Sequence, residues 1–150
     1  MTFNIRPLSP KDIAFFREML DLFGEVFDEA ETYSSAQPSD DYLRKLLGGE
    51  QFVGLVAVEG GTVIGGLAAY ELKKFEQARN EFYIYDLAVA AAHRRRGVAT
   101  ALIERLKKIA AARGAYVILV QADHGDDPAI SLYTKLGVRE DVLHFDIKVD

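Results

Sequence analysis

The sequence has no cysteine and only three histidines in 150 residues. The first absence excludes a disulfide framework, a thiolate metal site and a cysteine nucleophile, and His93, His124 and His144 are too few and too dispersed for a zinc site, so no metal is expected. Any thiol in the chemistry must arrive on a ligand. No apolar run approaches the roughly 20 residues of a membrane span. The opening MTFNIRPLSPKD lacks the apolar core of a signal peptide, so a cytoplasmic protein without a membrane partner is expected. A broad basic footprint is also missing, and a net charge of -5 argues against a nucleic-acid partner. There is no Gly-x-Ser-x-Gly elbow, no Gly-x-x-x-x-Gly-Lys-Ser/Thr loop and no spaced-glycine dinucleotide fingerprint, nor are there internal repeats or low-complexity segments.

With 49% hydrophobic and 27% charged residues in 16.7 kDa, the composition is that of an ordinary globular chain, expected to form one domain over residues 1–150. The charge is uneven. Arg94, Arg95 and Arg96 bunch together, while acids bunch at Asp28, Glu29 and Glu31, at Asp40 and Asp41, and at Asp123, Asp126 and Asp127. A single acidic cluster is accounted for by a solvated loop; beside a basic site, the set suggests two ligands of opposite charge.

Thr2 to Arg6 alternates as a short edge strand. Ser9, Pro10 and Asp12 predict a helix start with Ser9 as the cap, and Ile13, Phe16, Leu20, Phe23 and Phe27 form its core stripe, fading near Gly24 to Asp28. Glu29 to Asp41 reads as an acidic, aromatic-bearing loop, and DYLRKLLGG as a short helix. Gln51–Val58 and Thr62–Leu72 form a hairpin about EGG, with FEQARN turning into a third strand near Glu81. Val98, Leu102, Leu106 and Ile109 then stripe a helix closed by Gly114, followed by a buried strand, Ala115–Gln121. Asp123 to Pro128 breaks that strand, PAISLYTKLG supplies another helix, and Val142–Val149 alternates as a last strand. One βαβ-like unit in an otherwise antiparallel chain makes the class α+β.

The stretch from Glu81 to Gly114 joins the strand FYIYDLAV through the basic turn HRRRGVAT directly to a helix. Backbone N–H groups at such a helix start are unpaired and sit beside fixed positive charge, a place to hold phosphate. Arg94, Gly97 and Ala99 fit the pattern Arg/Gln-x-x-Gly-x-Gly/Ala, in which small residues let a turn wrap a pyrophosphate.

With LAV before this turn, HRRRGVATALI through it and DDPAISLYTKLGV after it, the chain resembles the GNAT (Gcn5-related) N-acetyltransferases. LDLFGEVF, TYSSAQPSDDYL, KFEQARNEFYIYDLAV, GAYVILVQADHGDDPA and HFDI are similar to the type I aminoglycoside 3-N-acetyltransferases, the gentamicin-acetylating group. The resemblance implies a mixed, mostly antiparallel twisted sheet with flanking helices and a splayed central strand pair. It also implies acetyl-coenzyme A as the acetyl donor, held along Leu87, Ala88 and Val89 and by the N–H groups of Arg94, Arg95, Arg96, Gly97, Val98, Ala99 and Thr100. The family often pairs as homodimers, so a homodimer is an expected partner state.

An acceptor ammonium must lose a proton before it attacks a thioester. Asp86 interrupts an apolar strand beside the implied thioester position and is the first candidate base, its alternative being a carboxylate on a solvated sheet face. Asp123 is a second candidate, for the base or for holding the cation, or a loop-start cap. The resemblance gives Tyr133 the place of the tyrosine that hydrogen-bonds the departing thiolate. Glu29, Glu31, Asp126, Asp127 and Asp146 can neutralise a polycationic acceptor, and Tyr33 and Tyr85 can offer ring faces to its sugars or serve the core. The expected reaction is direct transfer to the 3-amino group of an aminoglycoside. Another polyamine or small primary amine, and a non-catalytic acetyl-coenzyme A sensor, are the alternatives.

Overall fold

The computed structural model describes residues 2–150. Its elements are β1 (Phe3–Pro7), α1 (Ile13–Val26), α2 (Ala30–Ser34), α3 (Asp40–Gly48), β2 (Phe52–Glu59), β3 (Thr62–Lys73), β4 (Asn80–Val89), a 3-10 turn (Ala91–His93), α4 (Val98–Ala112), β5 (Ala115–Val120) and α5 (Asp127–Leu136). The strands form one sheet in the order β1-β2-β3-β4-β5. Neighbours are antiparallel from β1 to β4, and β4 and β5 are parallel, joined by α4 as the sequence pattern predicts. This is the expected α+β architecture.

The central strands are covered on both faces, which is why they read as nearly unbroken apolar runs. On one side Leu102, Leu106 and Val98 of α4 pack with Leu55, Leu67, Phe82 and Ile84; on the other Phe16, Met19 and Phe23 of α1 and Leu43 of α3 pack with Phe52, Val56, Ala68 and Ala88. The glycine pair in β3 sets how closely the helices approach. A Cβ on Gly66 would lie 2.5 Å from Met19 Cγ, and one on Gly65 would lie 2.9 Å from Val98 Cγ1. Met19 and Leu22 join Phe16 and Phe23 in the buried face of α1, while Ile13, Leu20 and Phe27 pack at its margin.

Four expectations need correction. Ala115–Val120 is not a buried strand: it lies at an edge of the sheet, and Tyr116 and Leu119 are 48% and 43% exposed. Ser9 does not cap α1: the helix starts after Asp12, whose carboxylate instead accepts from Ser9 N and Ser9 Oγ and pairs with Arg6. The stretch 29–41 is not all loop, because Asp28 takes a left-handed turn (φ 54°) and Glu29 N donates to Gly24 O, folding α2 back onto α1. Gly24 makes room for it: a Cβ there would lie 3.2 Å from Ala30 Cα. Finally, 142–149 is not a strand. Alternating side chains give strand propensity, but a strand exists only where a neighbour completes its ladder, and residues 138–150 stand exposed beyond α5.

Candidate functional site

β4 changes character halfway along. Against β3, Ala69 faces Ile84 and Ala68 faces Asp86, so Tyr85 is the extra residue of a β-bulge. Against β5, pairing ends at Ile84 and Val120, leaving Tyr85 to Val89 without a neighbouring strand on that edge among the described residues. The two parallel strands thus open a wedge beside Leu87, Ala88 and Val89, at the place expected for a splayed pair. Leu87 and Val89 belong to the α4 side of the core, whereas Ala88 packs on the α1 side and Asp86 meets α2. The wedge therefore joins the two faces of the sheet.

Asp86 is half-buried at the mouth of this wedge, and burial raises its carboxyl above the ordinary aspartate value while a hydrogen bond from Tyr33 acts against the rise. Tyr33 Oη donates to Asp86 Oδ2 at 2.9 Å. Its ring is wedged between Phe23 and Phe27, 5.9 Å from each, so Tyr33 is anchored in the core and its hydroxyl meets the carboxylate. Burial first, then Asp86, pushes the Tyr33 phenol upward, keeping it a donor at neutral pH. Sequence reading placed Tyr33 at the site but missed this contact.

Beside Asp86 lies an aromatic row. Tyr70 stacks edge-on against Phe52 (5.4 Å) and Tyr85 (5.9 Å), and Tyr83 stacks against Tyr85 at 5.8 Å. Tyr85, carried outward by the bulge, is 63% exposed and presents a ring face to solvent. Burial, then the charges of Tyr85 and Asp86, raises the Tyr83 phenol, and Tyr70 is raised likewise with Tyr42 also contributing. Tyr70 and Tyr83 were missed by sequence reading, although they are cross-strand partners in a legible hairpin.

The basic turn follows β4. Arg95 (φ 62°) and Gly97 (φ 77°) both adopt left-handed backbone, and α4 begins immediately after Gly97, with Ala101 N closing the first helical bond to Gly97 O. The amides of Val98, Ala99 and Thr100 thus precede the first intrahelical bond, and alternating backbone of this kind makes an anion-binding concavity. Arg94 Nε donates to Val89 O (3.2 Å), tying the turn to the wedge strand. The Arg96 side chain turns the other way, with Nη1 3.1 Å from Glu59 Oε1 and Nη2 2.5 Å from Glu59 Oε2, and Nη1 2.8 Å from His93 Nδ1. Arg96 can serve a phosphate through its backbone while its side chain fastens the turn to the end of β2. The Arg96 guanidinium, ahead of Thr2 and His93, holds the Glu59 carboxyl at about 2.

Tyr133 on α5 packs against the same core cluster as Leu87 and Val89. Burial, then the charge of Asp126, raises its phenol to about 12. Asp126 caps α5, its Oδ1 accepting from Ala129 N, Asp127 stands exposed in the first turn of that helix, and Asp123 stands exposed on the loop before it. That loop leaves β5 at Val120, the partner of Ile84, and so runs beside the wedge. Glu29, at the N-cap of α2, and Glu31, in its first turn, precede Tyr33, with Glu29 Oε2 accepting from Thr32 Oγ1. Asp146 is not brought to this group: it lies on the exposed tail with His144 Nε2 2.9 Å from its Oδ1.

A separate cleft of about 580 Å³, lined by Glu71, Lys74, Arg79, Asn80 and Arg113, opens at the other end of β4. Several of its charges are taken up in ion pairs, Arg113 with Glu71 (2.7 Å), Lys74 with Glu81 (3.4 Å) and Arg79 with Glu76 (2.9 Å), while Glu50 and Lys73 also line it. Among the described residues no helix is long and apolar enough to cross a membrane.

The family model described as "Acetyltransferase (GNAT) family" matches residues 16–138. Among solved structures, an aminoglycoside acetyltransferase, HMB0005, from an uncultured soil metagenomic sample is 59% identical with a TM-score of 0.98, covering 100% of both chains. A second soil metagenomic aminoglycoside acetyltransferase, meta-AAC0020, solved in complex with sisomicin, is 30% identical with a TM-score of 0.89, over 99% of this chain and 97% of that one. The uncharacterized N-acetyltransferase YhfO of Bacillus subtilis (strain 168) is 27% identical over 148 residues, 97% of each chain.

Proposed function

The chain belongs to the GNAT acetyltransferase family, with acetyl-coenzyme A as donor and a small amine as acceptor, and we propose that the acceptor is an aminoglycoside acetylated at its 3-amino group. The observation that carries this reading is the full-length match, at 59% identity, to an aminoglycoside acetyltransferase. The acidic and aromatic surroundings of Asp86 support it. Glu29 and Glu31 on one side and Asp123, Asp126 and Asp127 on the other suit a polycation, and the Tyr85 ring face suits a sugar.

The donor fits the chain's own groups: the left-handed turn at Arg95 and Gly97 offers backbone N–H groups to its pyrophosphate, and the open edge of β4 offers pairing to its pantetheine amides. It supplies an activated acetyl thioester. The acceptor arrives largely as an ammonium, since alkyl amines titrate near 10. Asp86, directly or through water, takes its proton; the freed nitrogen pair forms the N–C bond as the C–S bond breaks, the sulfur keeps the electron pair, and the second proton, made acidic once nitrogen bears the acetyl group, passes to that sulfur to give the free thiol and the neutral amide. With its carboxyl raised by burial, Asp86 is a better base than an exposed aspartate. Tyr33 positions that carboxylate. Tyr133 hydrogen-bonds the leaving sulfur rather than surrendering its proton outright, because a phenol at about 12 is a weaker acid than a thiol near 8.5. With no cysteine and no nucleophile elbow, transfer within a ternary complex is the route.

Thiol release from acetyl-coenzyme A against a panel of aminoglycosides, polyamines and simple primary amines tests this reading. Turnover is expected with aminoglycosides bearing a free 3-amino group. Turnover confined to simple amines rejects the aminoglycoside acceptor, and donor binding without turnover on any amine rejects catalysis in favour of sensing.

A further inference from the structure

α2 has five residues, none of them buried, and a helix this short does not sustain itself. Tyr33 is its one side chain packed against the core, and the hydroxyl of that residue meets Asp86 at 2.9 Å. The Phe23 and Phe27 rings confine the Tyr33 ring, but the reach of the hydroxyl depends on where the backbone of α2 lies. A displacement of about 0.5 Å is enough to stretch such a bond beyond hydrogen-bonding distance.

What fixes that backbone is a polar cluster around Gln37, in the connection from α2 to α3. Gln37 Nε2 donates to Tyr33 O (3.1 Å) and to Asp21 Oδ1 (3.0 Å), and Gln37 Oε1 accepts from Arg17 Nη1 (3.0 Å). The partners dictate which way the amide points, since a guanidinium only donates whereas a carboxylate and a carbonyl only accept. Tyr33 O is one of the carbonyls that a helix end leaves unpaired, and Gln37 pairs it. Arg17 and Asp21 lie about one turn apart on the same side of α1. They also hold the chain on either side of Gln37: Asp21 Oδ1 accepts from Ser34 Oγ at 2.8 Å, and Arg17 Nη2 donates to Pro38 O at 3.1 Å and to Asp40 Oδ1 at 2.5 Å.

We propose that Gln37 is the positioning residue of the Tyr33–Asp86 pair: clamped by Arg17 and Asp21, it anchors the Tyr33 carbonyl so that the phenol stays on the carboxylate. Its bearing on catalysis rests on the reading of Asp86 as the base. The titratable groups around Asp86 are Tyr33 from α2, Tyr70 from β3, and Tyr83 and Tyr85 from β4, with Glu29 beyond Tyr33. The phenols stay neutral across the acid range, so the Tyr33 hydrogen bond is the contact through which residue 37 acts on the carboxylate.

The test is titration of the Asp86 carboxyl in the full chain, read by NMR of labelled side-chain carboxyls and assigned from Asp86→Asn. Tyr33→Phe should raise the midpoint, because the lost bond favours the ionised form. Gln37→Met keeps the length of the side chain without its amide; it should raise the midpoint in the same direction, by no more than Tyr33→Phe does. The double variant should then titrate where Tyr33→Phe alone titrates, since both substitutions act through one bond. In Gln37→Met, kcat/KM below its acid limb should fall about 3- to 10-fold with the donor Kd unchanged. Gln37→Asn, whose amide is one methylene too short to hold α1 and Tyr33 O together, should move the midpoint the same way and serves as the second variant if Gln37→Met does not fold. A wild-type midpoint in the folded Gln37 variants, shifts that add in the double variant, or an unmoved midpoint in Tyr33→Phe would overturn the positioning role. The titration needs no substrate, so the expected shifts in a protein whose Asp86→Asn variant still turns over would uphold the clamp while rejecting the base.

Discussion

Tyr33 Oη donates a 2.9 Å hydrogen bond to Asp86 Oδ2, joining a short helix near the start of the chain to the bulged half of the central strand. The bond favours the ionised carboxylate, whereas burial disfavours it, and burial is the larger effect.

Tyr33→Phe removes the bond and leaves burial unopposed, so the Asp86 carboxyl should rise further. A base must be deprotonated to act, so the acid limb of kcat/KM, already above the ordinary aspartate range, should move to higher pH. Below that limb the variant should lose roughly tenfold, consistent with about 1.5–3 kcal/mol for a hydrogen bond to a charged group. A pH profile of kcat/KM checks this, and an acid limb that moves down or stays in place contradicts the positioning role.

Tyr133→Phe should lower kcat by about 10- to 100-fold, within the usual reach of one proton-transfer or hydrogen-bonding group. The donor Kd should change far less, because the ring still packs against the core. Unchanged turnover under conditions where chemistry limits the rate would remove Tyr133 from the leaving-group role.

At Gly97 the backbone is left-handed and a Cβ would meet nothing within 4 Å. Gly97→Ala therefore costs conformation rather than space, about 1–2 kcal/mol. Relaxing that strain would straighten the turn that presents the α4 amides. KM for acetyl-coenzyme A should rise about 5- to 30-fold, with the amine KM little changed, as initial-rate kinetics with each substrate varied in turn would show.

Glu59 fastens this turn through Arg96, and its carboxyl is held at about 2. A depressed carboxyl contributes stability that is present above its unfolded value near 4.5 and lost as pH falls through about 2. Glu59→Gln should flatten that acid limb of thermal stability and raise the donor KM. A variant with wild-type acid stability and donor affinity would show the pair to be incidental.

Much of this was legible in the sequence, for reasons that differ by element. The turn from Arg94 to Thr100 is local, so residue type and spacing suffice to place it between a strand and a helix. Asp86 was legible as a charge interrupting an apolar strand. Its partner was not, because the bond to Tyr33 spans 53 residues and depends on Gly24 admitting α2, a helix of five residues too short to leave a periodic signal. Alternation in 142–149 records strand propensity but carries no information on whether a neighbouring strand completes a ladder.

The most direct test of the account is the product and rate of Asp86→Asn beside wild type, with acetyl-coenzyme A and sisomicin. Wild type should give singly acetylated sisomicin, with NMR placing the acetyl on the 3-amino nitrogen. Asp86→Asn, which retains an oxygen to accept from Tyr33, should bind the donor normally and lose about 100- to 10,000-fold in kcat. Acetylation of another nitrogen, or turnover undiminished in Asp86→Asn, would contradict it.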